Sequence, residues 1–313
     1  MKQLGTKLFT LIITLLIVSL LAFLAFQIIP GDPTTKMLGT NATPEKAAQL
    51  RSQLGLDRPV FVRYFEWLLH FVRGDLGISY TYKMQVSEML SDKLPITVLL
   101  TVLSFLLTVL IAIPLGIAAG RIKNRWVDHA VLIADQLLMA IPPFFFGILA
   151  CFLFGIIFRF FTPGNFIPPS EDLGASLSYL LLPALSLALP RIAMTVKMLR
   201  GSIQDELTQN YVYTARSRGL SQWGILRRHV LRNAMIPVIT FLAVSAAEIM
   251  TGTIIIEQVF TIPGVGRLLL SSIGSRDFPV VQAIVVIMAA WIVIVNFAAD
   301  LLNFLIDPRR RAG

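Results

Sequence analysis

Long runs with no charge or almost none dominate the chain, at about residues 8–29, 96–120, 131–158, 173–196, 234–256 and 278–299. As a helix, each run is long enough to cross roughly 30 Å of hydrocarbon. The pattern predicts an all-α, polytopic membrane protein with six transmembrane helices. Between the first two runs the character changes. Residues 30–95 carry Pro30-Gly-Asp-Pro33, several charges and a mildly amphipathic stretch from Ala47 to Gly77. Pro44-Glu45 predicts a helix start, Gly55 its end and Arg58-Pro59 a restart, after which Val60, Tyr64, Trp67, Leu68 and Phe71 recur at helical spacing. The expected division is an N-terminal helix at 1–29, a small external subdomain at 30–95, a five-helix core at 96–306 and a tail at 307–313. The apolar face of the subdomain must meet its own spans, the membrane or a partner.

A basic loop, residues 200–236, joins the fourth and fifth runs. Ser202 with Asp205 three residues later predicts a helix start. Arg216 and Arg218 suit the negative end of that helix, and Gly219 is placed to stop it. A second helix is expected from Ser221, with Trp223, Leu226 and Val230 on one face and Arg228 and Arg232 on another. Pro237 is expected to open the next span. The loop then forms a hairpin of two amphipathic helices at the membrane surface. Pro114, Pro142-Pro143, Pro183 and Pro190 fall within spans, where neighbouring helices can satisfy the freed carbonyls.

Composition agrees with this pattern: 56% hydrophobic and 14% charged residues exclude an ordinary soluble domain. The net charge of +9 reports topology rather than nucleic-acid binding. With the N-terminus inside, fifteen Lys and Arg fall in cytoplasmic segments, whereas the short outer loop after residue 158 carries Glu171 and Asp172. Short cytoplasmic loops collect Lys and Arg, so both termini are expected in the cytoplasm. The first run exceeds the short core of a secretory signal and lacks a convincing small-x-small cleavage site, which favours a retained helix. Cys151 is the single cysteine, so no intrachain disulfide forms, and a packing role in its apolar run is expected.

The ionisable residues in or near the spans are Asp135, Arg159, Arg191, Glu248 and Asp300. Asp135, Arg159 and Asp300 lie near span ends and are expected to reach the interface. Arg191 and Glu248 are deeper, so they form either a structural ion pair or part of a polar translocation path. No G-x-x-x-x-G-K-[ST] loop is present to cradle a nucleotide. His70, His129 and His229 fall in different segments without metal-motif spacing, and neither G-x-S-x-G nor H-E-x-x-H occurs. No cofactor or metal is expected in this chain, and it is not expected to be an enzyme. The loop arginines suit anionic lipid headgroups, while tethering at both ends holds the hairpin flat against the membrane and argues against DNA. Three classes remain: a subunit driven by a nucleotide-hydrolysing partner, a proton-coupled carrier with Glu248 as its proton site, and a membrane scaffold.

The loop pattern resembles that of permease subunits in binding-protein-dependent ABC importers, whose consensus is Glu-Ala-Ala, three residues, Gly, nine residues, then Ile-x-Leu-Pro. Tyr213-Thr214-Ala215 occupies the first three positions, Gly219 the glycine and His229-Val230-Leu231-Arg232 the end, without the Glu or the Pro. Thr-Ala-Arg-x-x-Gly-Leu followed by Arg-His-x-Leu-Arg-Asn-Ala is similar to the B-type permease of the dipeptide, oligopeptide and nickel branch. Eight further strings agree in order: Ile29-Pro-Gly-Asp-Pro33, Leu54-Gly-Leu-Asp-Arg-Pro59, Gly74-Asp-Leu-Gly-Ile-Ser79, Ile113-Pro-Leu-Gly116, Ile256-Glu-Gln-Val-Phe260, Pro263-Gly-Val-Gly-Arg267, Arg276-Asp-Phe-Pro-Val-Val-Gln282 and Asp307-Pro-Arg309.

The resemblance implies a multi-pass protein of a prokaryotic inner or plasma membrane. It would pair with a second permease chain, two ATPase subunits that bind ATP and Mg, and an extracytoplasmic substrate-binding protein. It also implies that the loop seats in an ATPase groove through Tyr213, Thr214, Ala215, Arg216, Arg218, Gly219, Arg228, Leu231 and Arg232. In that reading Ala215 and Gly219 allow close approach and the arginines orient the contact. The resemblance spans importers of both kinds of solute; a di- or oligopeptide is expected, with nickel or a metal chelate as the alternative. The scattered histidines and single cysteine offer no recognisable nickel cage, which favours peptides.

Overall fold

A computed structural model of the chain describes residues 2–28, 34, 38, 43–53, 55–122 and 124–306. The Pro30–Pro33 string, Lys123 and the 307–313 tail lie outside the described residues. The apolar runs form helices throughout: α1 (Lys2–Ile28), α2 (Pro44–Gln53), α3 (Val60–Val72), α4 (Val86–Ser91), α5 (Leu94–Gly120), α6 (Arg125–Ala140) and α7 (Pro143–Ala150). Then come α8 (Leu173–Leu207), α9 (Asn210–Ser217), α10 (Gln222–Ile225), α11 (Leu231–Val259), α12 (Val265–Ser275) and α13 (Phe278–Ile306). π-Helical stretches extend α7 over Cys151–Ile157 and join α10 to α11 over Leu226–Val230.

Five helical spans are long and apolar enough to cross a membrane among the described residues. The expected sixth, residues 131–158, is not straight. Asp128–Ala140 and Pro143–Ile157 meet at 92°. Ile141 and Pro142 are extended there, with ψ of 124° and 145°, as the residue before a proline prefers. By contrast Pro114, Pro183, Pro190 and Pro237 are accommodated inside helices. Pro237 therefore does not open a span, since α11 begins at Leu231.

The chain packs as two compact units, Met1–Thr97 with Pro263–Ile294, and Val98–Ile262 with Val295–Gly313. In the first unit, α3 meets α1. Phe23 lies edge-on to Tyr64 at 5.5 Å and beside Trp67 at 5.8 Å, and Ser19 and Tyr64 share a 2.8 Å hydrogen bond. This settles where part of the expected apolar face goes. A second stripe, Phe61, Phe65, Leu69 and Val72, stays exposed.

Two distant strings meet in the same unit. Asp277, at the α12–α13 turn, is fully buried. It accepts hydrogen bonds from the Ser79 hydroxyl at 2.5 Å and from the backbone N–H groups of Tyr80 and Thr81 at 2.9 and 3.2 Å. Ser79 Oγ accepts in turn from the Tyr82 N–H at 2.9 Å. Ser79 N–H donates to Met84 O and Val86 N–H to Gly77 O, closing residues 77–86 into a tight loop. The turn that presents Asp277 requires Arg276 in the left-handed region, at φ 55°. Nearby, Thr97 Oγ1 accepts from the Val265 N–H at 2.9 Å. Just before this loop, the Asp75 carboxyl is held below its usual range by the Gly77 N–H, with His70 as the second contributor.

Asp277→Ala removes the acceptor for a buried hydroxyl and two N–H groups, at an expected cost of about 2–3 kcal/mol. Hydrogen exchange over residues 77–86 should accelerate while exchange in α8 and α11 stays unchanged. A second expectation concerns pH. Because the folded Asp75 carboxyl titrates below its unfolded value, its contribution is present above the ordinary carboxylate range and is lost as pH falls through the folded value. Protection of the 74–77 turn should therefore fade on acidification in the native protein, and an Asp75→Asn variant should not show that change.

Candidate functional site

The basic loop differs in construction from the expected hairpin. Ser202 does not cap a helix: α8 runs unbroken to Leu207, and the break falls at Thr208 and Gln209. Leu199 and Ile203 are fully buried, so packing on this apolar face carries α8 through Ser202. The helix ending at Ser217 is the short α9. The Leu220 N–H reaches Ala215 O and the Gly219 N–H reaches Arg216 O, with Gly219 at φ 78°. This is a left-handed helix stop of the expected kind. A Cβ added to Gly219 would meet nothing within 4 Å, so conformation rather than crowding requires glycine. Ser221 caps the next helix by accepting from the Gly224 N–H at 3.2 Å.

The loop has two faces. Val212, Ala215, Ile225, Leu226 and Val230 are buried in one apolar cluster with Leu199 and Ile203 of α8 and Ala234, Val238 and Leu242 of α11. Phe105, Val109, Ile113 and Ile117 of α5 pack against it. Ala215 is thus turned into its own bundle, where its small side chain packs in that cluster. Leu231 is half-buried in the same cluster. On the outside lie Tyr213, Thr214, Arg216, Arg218, Gly219, Arg228 and Arg232. Trp223, expected to share a face with Leu226 and Val230, is exposed while those two are buried, and its ring lies under the Arg121 guanidinium, centroid to Cζ 4.9 Å. Where the wider pattern has Glu, Tyr213 offers its ring to Arg216 at 5.8 Å. A cavity of about 420 Å³ opens beside these groups, with Arg121, Gln204, Arg216, Gln222 and Trp223 in its wall.

Several supporting residues escape a reading of the sequence. Glu206 accepts from the Tyr211 hydroxyl at 2.5 Å and from Asn233 Nδ2 at 3.4 Å, tying α8, α9 and α11 together. Burial, then the bond to Glu206, pushes the Tyr211 phenol up to about 12. Arg200 is buried and donates from Nε to Asp128 at 2.9 Å, with a second contact from its Nη2, fixing α6 to α8. Gly116 and Gly120 let α5 close on α8: a Cβ at either would come within 2.8 Å of Leu199 or 2.9 Å of Ile203. Their four-residue spacing, a small-xxx-small pattern, was the available signal. Deeper in the span, Arg191 and Glu248 form an ion pair between α8 and α11. Asp135, expected at an interface, is instead buried, with Oδ2 lacking a hydrogen-bond partner. Among the described residues, no group of three or more His, Cys, Asp and Glu side chains is disposed to hold a metal.

Comparison with known proteins places residues 112–312 with the family described as binding-protein-dependent transport system inner membrane component. Residues 1–101 match the N-terminal region described for membrane components of such systems. A protein of Brucella abortus (strain 2308) whose name designates a peptide transport system permease is 35% identical over 297 residues, 95% of each chain. The glutathione transport system permease protein of Salmonella typhi is 35% identical over 306 residues, 97% of each chain. A Sinorhizobium fredii protein named as a peptide ABC transporter permease is 31% identical over 305 residues, again 97% of each chain.

Gly219→Ala should lower thermal stability by about 1–2 kcal/mol, the cost of holding an L-residue left-handed, and Gly219→Asn should lose less. Equal losses would show that crowding, not φ, sets the requirement. Tyr211→Phe should loosen the α8–α9 junction by about 1 kcal/mol after allowance for partial exposure, seen as faster exchange at residues 208–212.

Proposed function

The chain belongs to the family of inner membrane components of binding-protein-dependent transport systems, and on that premise we propose that it is a peptide-conducting permease subunit of an ATP-driven importer. The observation that carries the coupling role is the two-faced loop. Its apolar half is fixed in the helix bundle, and its basic half is left outside, Arg216 on the short α9, Arg218 at its end, and Arg228 and Arg232 beyond it. Such a construction transmits force, because a push on α9 acts on α8 and α11 rather than on a flexible connection.

In this reading both termini face the cytoplasm, and a second permease chain lies alongside. Two ATPase subunits bind ATP and Mg and receive the loop, and a substrate-binding protein delivers peptide from outside. Tyr213, Thr214, Arg216, Arg218 and Gly219 form the contact, with Arg228 and Arg232 extending the basic surface. Ala215 and Leu231 act from beneath by packing. Two relatives carry names that designate peptide transport and one carries glutathione transport, which supports peptide as the solute over nickel. The proton-coupled alternative asks for a carboxylate free to take up a proton, whereas Glu248 is ion-paired with Arg191.

Purified from its own cell, the chain should bring a sister permease and ATPase subunits with it. Arg216→Glu with Arg218→Glu should reduce peptide-stimulated ATP hydrolysis by about tenfold or more, since reversing contact charges costs several kcal/mol. Full stimulation in that variant would contradict the docking role. Peptide uptake by this chain alone under a pH gradient would contradict the importer itself.

A further inference from the structure

The Arg191–Glu248 pair is exposed where exposure is costly. Arg191 lies near the middle of α8, and Glu248 sits about 16 Å from the end of α11 by helical rise. Yet the side chains are 31% and 52% exposed. Charges at that depth are not turned toward lipid; they face protein or water. The rest of the same α11 stripe is Val244, Thr251, Ile255 and Gln258, all exposed. That stripe mixes polar groups with bulky apolar ones, unlike the small-residue seams that pack membrane helices. The small residues of α11 lie off this stripe: Thr253 is buried on the opposite face, Ser245 and Ala247 are buried on its flanks, and a Cβ on Gly252, beside Glu248, would reach Leu187 of α8 at 3.0 Å. The α8–α11 seam is therefore already used, and the Glu248 stripe is left as a wall of mixed polarity.

We propose that this wall is wet and that Arg191 and Glu248 bind the terminal charges of a zwitterionic peptide, Arg191 the carboxylate and Glu248 the ammonium. The inference rests on the peptide-permease reading above. In the empty path the two side chains satisfy each other, which avoids the cost of an unpaired charge in a low dielectric. A peptide entering with one charge of each sign exchanges one ion pair for two and leaves the net charge unchanged. The resident pair re-forms as the peptide departs, so the site holds its ligand without trapping it, as a conduction path requires. Guanidinium suits a carboxylate through paired N–H donors, and a carboxylate accepts readily from an ammonium.

The test uses the complete importer in proteoliposomes, with Cys151→Ser to remove the native thiol. Thr251→Cys, beside Glu248 on the stripe, should react with a cationic, water-soluble thiosulfonate. A dipeptide with free termini, delivered by the binding protein, should slow that reaction, whereas the same dipeptide capped at both ends should not. Glu248→Gln should lower uptake of the free-amine peptide by about tenfold relative to its N-acetylated form, the loss of one hydrogen bond to a charged group. No labelling of Thr251→Cys would place the stripe against lipid or a second chain and overturn the proposal. Equal protection by both peptides, or equal loss of both uptakes in Glu248→Gln, would make the pair structural and also overturn it. Failure of the unmodified complex to take up peptide would instead contradict the function on which the site rests.

Discussion

Burial of one half of the basic loop in the helix bundle is the constraint on which the rest of the core depends. Val212, Ala215, Leu226 and Val230 share a cluster with Leu199 and Ile203, so α9 and the start of α11 sit on the end of α8 as part of its core. The close approach of α5 at Gly116 and Gly120 reaches the same two α8 residues. Three long helices therefore converge under a single short one. Burying apolar side chains of this size stabilises by roughly 1.5–3 kcal/mol each, far more than the exposed arginines contribute. The inward residues fix the loop, and the outward residues are left to determine what it meets.

Charge is treated differently at the loop and within the spans. At the loop, Arg216, Arg218, Arg228 and Arg232 remain exposed. Toward the bundle, Arg200 is buried and held by Asp128, an arrangement that locks α6 to α8. Farther along α8, Arg191 is matched by Glu248 of α11. The first pair is a fastening and the second an exposed, exchangeable contact on the proposed path. Both lie on α8, the helix that also carries the loop, so movement of the loop bears directly on two of the charged contacts that join α8 to its neighbours.

Much of this was legible in the sequence because apolar run length reports spans directly. The starts at Pro44 and Val60, the stop at Gly219 and the cap at Ser221 followed from local chemistry. The bend at Ile141–Pro142 did not, since a proline pair within an apolar run signals either a tolerated kink or a break, and neighbouring helices decide which. Ser202 misled for a related reason: its capping pattern was genuine, but burial of Leu199 and Ile203 kept α8 helical past it. The Asp277 cradle joins residues nearly two hundred positions apart, and spacing alone carries no trace of such a contact. Trp223 shows the limit of helical periodicity, which gives faces but not the π-helical turn at Leu226–Val230 that follows.

The central claim is that the outer face of α9 is the surface through which an ATPase partner acts. Ser217 lies on that face, exposed and one residue beyond Arg216. A photoactivatable cross-linker attached at Ser217→Cys, in a Cys151→Ser background, should capture the ATPase subunit in native membranes. Capture of lipid or a second permease alone, with no ATPase product, would contradict the account.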